Sequence, residues 1–250
     1  MPTCSGTENL HNGDGMIKHR KRILLAMVFL VFVAGLTFLL LRRNEPKYHG
    51  RYLSEWMEDH VQKVTPAEAR AVNEAIKNIG TNGLPFYVGW VGLRTPQWKN
   101  GLFDKLPNWL RQIEFIADGL EQKNYLRDAF GMKAIWLLGT NAASAIPQLQ
   151  AKLENRTDFY LVKDASRALA GIGPPSVAAL RSAFANPEQI NRPAILWSFR
   201  WLSFSGCSND CMPIIIAALE DDDANVRASA TNFLRMRSSG ELFGDPPPPL

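Results

Sequence analysis

The chain has little of the equipment that catalysis uses. Only four residues are histidine, His11, His19, His49 and His60, and none lies beyond position 60. That removes His-based acid–base chemistry and His metal ligation from everything after His60. Cysteine is scarce too: Cys4, Cys207 and Cys211. Three thiols make neither a disulfide framework nor, by themselves, a four-ligand zinc site. The sequence has no G-x-x-x-x-G-K-[ST] loop, no G-x-G-x-x-G after a strand, no H-E-x-x-H and no G-x-S-x-G elbow. No catalytic, cofactor-binding or metal-binding residue is assigned, and an enzyme is not expected. A long alternating strand pattern is also missing.

Excess charge is scarce once it is located. The formal net charge is +4 and the sequence pI is about 9.0. Residues 1–50 hold seven Lys/Arg and three Asp/Glu, and the rest of the chain holds 21 of each sign. The whole excess sits in the first fifth of the chain. A folded polyanion-binding domain normally carries some of that excess itself, so no nucleic-acid partner is expected.

What is present is one long apolar run. Residues 23–41 read ILLAMVFLVFVAGLTFLLL, without a single charge. As a helix the run spans ~28 Å, close to the ~30 Å hydrocarbon core. Basic collars flank it: Lys18, Arg20, Lys21 and Arg22 before, Arg42 and Arg43 after. A cleaved signal has a shorter apolar region and a small-residue cleavage site, and neither is seen. An uncleaved single-pass membrane anchor is expected. The positive-inside count is a tie, four Lys/Arg on each side, but the upstream cluster is denser. The C-terminal part is therefore expected outside the cytoplasm.

After the anchor the pattern is helical. Thr65-Pro66-Ala67-Glu68 offers an N-cap hydroxyl, Pro at the first helical position and Glu three residues after the cap. Val72, Ala75, Ile76 and Ile79 follow at i, i+3, i+4, i+7, and Gly80 stops the helix. The frame recurs at Gly131/Ala134/Ile135/Leu138/Gly139 and Ala165/Ala168/Leu169/Ile172/Gly173. Weaker copies are Ser198/Trp201/Leu202/Ser205/Gly206 and Ala230/Phe233/Leu234/Arg237/Ser238. The stops fall at positions 80, 139, 173, 206 and 238, a long first step and then three that are nearly equal. A near-constant period in this range signals stacked helical hairpins, because one hairpin cannot bury its apolar face alone. A second short helix follows each stop, opening at Leu84-Pro85, Ile146-Pro147, Val177 and Met212-Pro213.

The segment Asp222-Asp223-Ala224-Asn225-Val226-Arg227-Ala228-Ser229-Ala230, followed by Phe233-Leu234, resembles the D-x-x-x-VR-x-x-A-x-x-L signature of the HEAT repeat. Residues 142–149 and 168–174 resemble the body of the same repeat. The segment Tyr48-His49-Gly50-Arg51-Tyr52-Leu53-Ser54-Glu55-Trp56-Met57 is similar to a leader in bacterial HEAT-repeat (HEAT-like, PBS-lyase-type) proteins with a membrane anchor. The resemblance covers roughly residues 48–240, though the Val-Arg pair occurs only at 226–227. It implies an α-solenoid used for protein binding, with no particular chemistry. Alternatives within the family are a lyase-like protein or enzyme accessory; a purely structural envelope protein is a third reading.

The expected class is thus all-α: one N-terminal transmembrane helix and a short α-α superhelical solenoid. The expected divisions are a polar tail (1–22), the transmembrane helix (23–41), a juxtamembrane linker and leader helix (42–64), the repeat domain (65–240) and a Pro-rich tail (241–250). The long first step holds an extra loop and amphipathic helix at about 87–122. Three of the seven tryptophans lie there. On one reading Arg94, Trp98 and Trp109 form a partner-binding site; on the other, Trp90 and Trp109 fill a thicker core. Cys207 and Cys211, at the turn of the fourth hairpin, form either a local disulfide or two free thiols. The acidic run Glu220-Asp221-Asp222-Asp223 reads as a turn and helix N-terminus rather than a Ca²⁺ site.

Overall fold

The computed structural model describes residues 45–61, 65–94, 105–111, 123–204 and 206–239, residue 101, and seven residues between 25 and 33. The chain divides into two compact units, residues 1–45 and 46–250. In the first, residues 25, 27–29 and 31–33 are helical and exposed, all with apolar side chains. Among the described residues no helix is long and apolar enough to cross a membrane. The rest of the 23–41 run, the tail 1–22 and the Pro-rich tail 241–250 lie outside the described residues.

The second unit opens with an element the sequence pattern did not announce. Strands β1 (Lys47–Tyr48) and β2 (Arg51–Tyr52) pair antiparallel, Lys47 opposite Tyr52. The turn works because His49 and Gly50 both take positive φ, 50° and 77°, as a tight two-residue hairpin requires. Helix α1 (Leu53–Val61) follows at once. Trp56 donates its indole N–H to the Tyr48 carbonyl (3.3 Å), and Arg51 stacks on Trp56 and pairs with Asp59 at 2.7 Å. The leader is thus a folded lid, with Leu53, Trp56 and Met57 buried.

The rest is helical. Helix α2 (Pro66–Ile79) carries the expected capping box: Glu68 N–H donates to Thr65 Oγ1 (3.3 Å), and Thr65 N–H to Glu68 Oε2 (2.7 Å). Val72, Ala75, Ile76 and Ile79 are its buried residues, the four that the spacing singles out. Then come α3 (Leu84–Trp90), α4 (Asn108–Arg111), α5 (Lys123–Leu138) and α6 (Ile146–Leu153). They are followed by α7 (Phe159–Ile172), α8 (Val177–Ala185), α9 (Arg192–Phe204), α10 (Ser208–Ala217) and α11 (Ala224–Ser238). The glycine stops at 80, 139, 173 and 206 all take positive φ, between 53° and 87°.

Packing follows chain order. α2 packs on α5, α5 on α7, α7 on α9, and α9 on α11. Alongside, α6 packs on α8 and α8 on α10. The two rows interlock, α3 against α5, α6 against α7, and α8 and α10 against α9. One buried apolar cluster runs from Leu53 to Phe233. The small residues Ala134, Ala168 and Ala230 are buried on three of these helices, where bulk would hold neighbours apart.

Two expectations need correction. α10 begins at Ser208, not near Met212, so Pro213 stands inside it. Cys207 leads into that helix, with Cys211 N–H bonded to the Cys207 carbonyl at 3.0 Å, so the pair is not in a loop. The expected insertion is also displaced at its start: Tyr87 and Val88 belong to α3 and are buried in the main core. Its later part is described only at 101 and 105–111, and residues 112–122, in the expected extra helix, lie outside the described residues.

Candidate functional site

Arg94 follows the turn after α3 and reaches two buried carboxylates on successive helices of one row. Its guanidinium pairs with Asp164 of α7, and lies 3.4 Å from Asp128 Oδ2 of α5. Asp164 and Asp128 keep only 2% and 6% of their side-chain surface, whereas Arg94 keeps 39%. Gly92 N–H donates to Asp128 Oδ1 at 2.7 Å, and Lys152 Nζ of α6 donates to the Val91 carbonyl at 2.7 Å. The loop after α3 is therefore sewn to α5, α6 and α7. Burial first, then the neighbouring Asp164 charge, push the Asp128 carboxyl up to about 6, against the pull of Gly92 N–H, Arg94 and Arg167. Burial also lowers the Lys152 ammonium from its usual value.

Of the three partner-site residues, Arg94 is thus a structural clasp with one wet edge. Its guanidinium also lies over the Tyr160 ring, 5.5 Å from the centroid, and Lys163 approaches the same ring at 5.1 Å. Trp109, on α4, is 65% exposed, which removes it from the core. Trp90 packs against the core beside Tyr87 and Phe130. Trp98 lies outside the described residues. At the N-terminal ends of α5 and α7, Tyr125, Phe159 and Tyr160 are also exposed.

Cys207 and Cys211 are free thiols, both buried. Burial raises both, Cys211 to about 12, with smaller contributions from Asp210 to both and from the Cys207 thiol to Cys211. The acidic run is engaged in structure. Arg192 Nη1 donates to Asp221 Oδ1 at 2.7 Å, its Nη2 to Oδ2, and its Nε to the Phe184 carbonyl. The Arg192 guanidinium holds the Asp221 carboxyl below its ordinary value. Asp223 caps α11 through Asn225 N–H at 2.8 Å. The Val226-Arg227 pair divides its work: Val226 is fully buried, and Arg227 donates to the Asp221 and Asp222 carbonyls at 2.6 and 2.8 Å. Among the described residues no group of three His, Cys, Asp or Glu gathers as metal ligands do.

A further constellation escaped the sequence reading. Trp136 of α5 meets Trp201 of α9 edge to face, ring centroids 5.8 Å apart, across α7. Gly171 makes the meeting feasible: a Cβ there would lie 2.3 Å from Trp136 Cδ1. Trp136 donates its indole N–H to the Arg167 carbonyl at 3.0 Å. Arg200 lies over the rings of both Trp197 and Trp201, 5.2 and 5.1 Å from their centroids. Its Nε is buried without a hydrogen-bond partner, and burial lowers the guanidinium from its usual value. A signal was available. Lys133, Arg167 and Arg200 each stand at the same offset before a glycine stop, at 139, 173 and 206.

Among known proteins, no family model matches the chain, and no curated protein and no solved structure matches it.

Proposed function

We propose that this chain is a membrane-anchored scaffold of HEAT-like repeats that docks a partner protein and performs no catalysis. The observation that carries the reading is the order of packing. Successive helices of each row touch in sequence order, and the stops at 139, 173, 206 and 238 recur at a near-constant step. Such an array reads as a short solenoid, whose stacked faces serve as a docking surface. The Arg94, Trp109 and Tyr160 residues add exposed aromatic and cationic groups. The 23–41 run supports a single-pass anchor through its length and its lack of charge. The collars favour a repeat domain outside the cytoplasm.

The test uses the full chain in its own membrane. A photo-crosslinking amino acid is placed at Trp109, at Tyr160 and, as a control, at Gln150 on the other row. Discrete protein adducts from the first two positions are expected. Absence of adducts from every surface position would overturn the docking reading. A reporter fused after residue 250, active only outside the cytoplasm, tests the orientation. Inactivity with full expression would place the repeats inside.

A further inference from the structure

The neutral total of residues 51–250 hides a segregation of charge. The row helices α5, α7, α9 and α11 carry ten Lys/Arg and only two carboxylates. Both carboxylates, Asp128 and Asp164, are buried. The wet surface of these four helices is therefore free of negative charge. Within it, Arg167 and Arg200, both half-buried, occupy equivalent places on adjacent helices, while Lys133, at the same offset on α5, is buried. Arg167 and Arg200 form no ion pair among the described residues. Arg200 departs most from a solvated cation. Two indoles hold its guanidinium as a fixed plane, and part of it is dehydrated, yet no described carboxylate pairs with it. A dehydrated, preoriented guanidinium takes a carboxylate with little further ordering cost.

We propose that Arg200, walled by Trp197 and Trp201, and Arg167, on the next helix beside Trp136, receive the carboxylates of an extended acidic segment of a partner protein. This deepens the docking reading and rests on it. The spacing fits. Adjacent packed helices lie roughly 8–10 Å apart, and an extended chain in the polyproline II conformation rises about 3.1 Å per residue with three residues per turn, which brings every third side chain to the same side. A carboxylate at every third residue therefore keeps step with the cations, and apolar residues between them cover the indole edges. A nucleic acid fits less well, because Arg200 already covers one face of Trp197 and of Trp201, the faces that bases would stack on. A lipid surface is served by many mobile lysines rather than by one clamped guanidinium.

The test uses the full chain in neutral phosphatidylcholine nanodiscs and a fluorescein-labelled peptide, (Glu-Leu-Gly)4, followed by anisotropy. The Glu peptide is expected to bind, and (Gln-Leu-Gly)4 to bind at least about tenfold more weakly, as befits charge-assisted hydrogen bonds. Arg200→Gln and Arg167→Gln should each weaken binding of the Glu peptide by about tenfold while the far-UV circular dichroism keeps the parent's helical signal. Arg200→Lys should fall between, since it keeps the charge and loses the planar fork. Equal binding of the two peptides, or Arg200→Gln binding like the parent, overturns the proposal. So does preference for phosphatidylserine vesicles or a twelve-residue oligothymidylate over the Glu peptide. The crosslinking experiment separates the two failures. Adducts that persist in Arg200→Gln leave docking standing and remove this surface; no adducts from any position removes docking itself.

Discussion

At Asp128 opposing forces meet on one carboxyl. Burial and the Asp164 charge favour the proton; Gly92 N–H, Arg94 and Arg167 favour the anion. The proton wins ground, and the group titrates at about 6 instead of 3.8. The folded chain then binds more protons than the unfolded chain between those values. Stability contributed by this group is greatest in acid and is lost as the pH rises through about 6. The shift corresponds to roughly 3 kcal/mol at most. Asn at 128 keeps an oxygen for Gly92 N–H and carries no charge. Asp128→Asn is therefore expected to gain on the parent protein at pH 7.5 and to lose that advantage at pH 4.5. Thermal melts of both proteins at the two pH values check this, and an advantage independent of pH would refute it. A second residue-level expectation concerns the thiols. Cys207 and Cys211 are buried and their thiols raised, so few thiolates form at pH 8. Iodoacetamide should leave both unmodified in the native chain within minutes and alkylate both in guanidinium chloride, as read by peptide mass mapping. Rapid native labelling would mean that the start of α10 opens readily.

Between elements the informative contact is the one over Gly171. A methyl group there strikes the Trp136 ring, within 2.6 Å of three of its atoms. Gly171→Ala should therefore cost about 1–3 kcal/mol by overpacking, despite alanine's better helix propensity. It should also separate Trp136 from Trp201, changing the near-UV circular dichroism. In a Trp136→Leu background the same Gly171→Ala change should cost little, rescuing the alanine from its clash, because the clash has a single owner. Failure of that rescue would mean that Gly171 matters for another reason. This contact also marks where the sequence stops being readable. Helix α2 was legible to the residue, because capping, apolar spacing and the glycine stop are all local. The stops at Gly139, Gly173 and Gly206 were legible for the same reason. The start of α10 was not: Met212-Pro213 looks like a helix opening, but Cys207 and the positive φ of Gly206 place it at Ser208. The hairpin of Lys47–Tyr52 was hidden because its strands have two residues each, too few to show alternation. Trp136 and Trp201 are far apart in the chain and meet only because three helices pack side by side. Arg94 was singled out for binding, yet its carboxylate partners become visible only once α5 and α7 lie side by side.

Across the molecule, stability should follow how many neighbours each helix has. Helix α7 is supported on several sides, by α5, α6, α8 and α9, and eight of its fourteen residues are buried. Helix α11 packs mainly on α9 and the turn at Ala218–Glu220, with Arg237 reaching Ser208 and Met212 of α10, and has three buried residues, Val226, Ala230 and Phe233. In a quasi-one-dimensional stack each unit draws its stability from its neighbours, so an end unit opens first. Hydrogen exchange of the full chain should therefore show its slowest amides in α7 and markedly faster ones in α11. The tie that delays the opening of α11 is electrostatic. Arg192 grips both oxygens of Asp221 with little of either side chain exposed, and Arg227 anchors the same turn through its carbonyls. Arg192→Ala leaves Asp221 without its partner at the foot of α11, a loss of about 3 kcal/mol or more if the carboxylate stays buried. It stays buried only while α11 is docked; opening lets it hydrate. The variant should thus speed exchange throughout α11 by an order of magnitude or more, while α7 keeps its protection. Exchange rising equally in α7 and α11 would show instead that the helices unfold as one cooperative body.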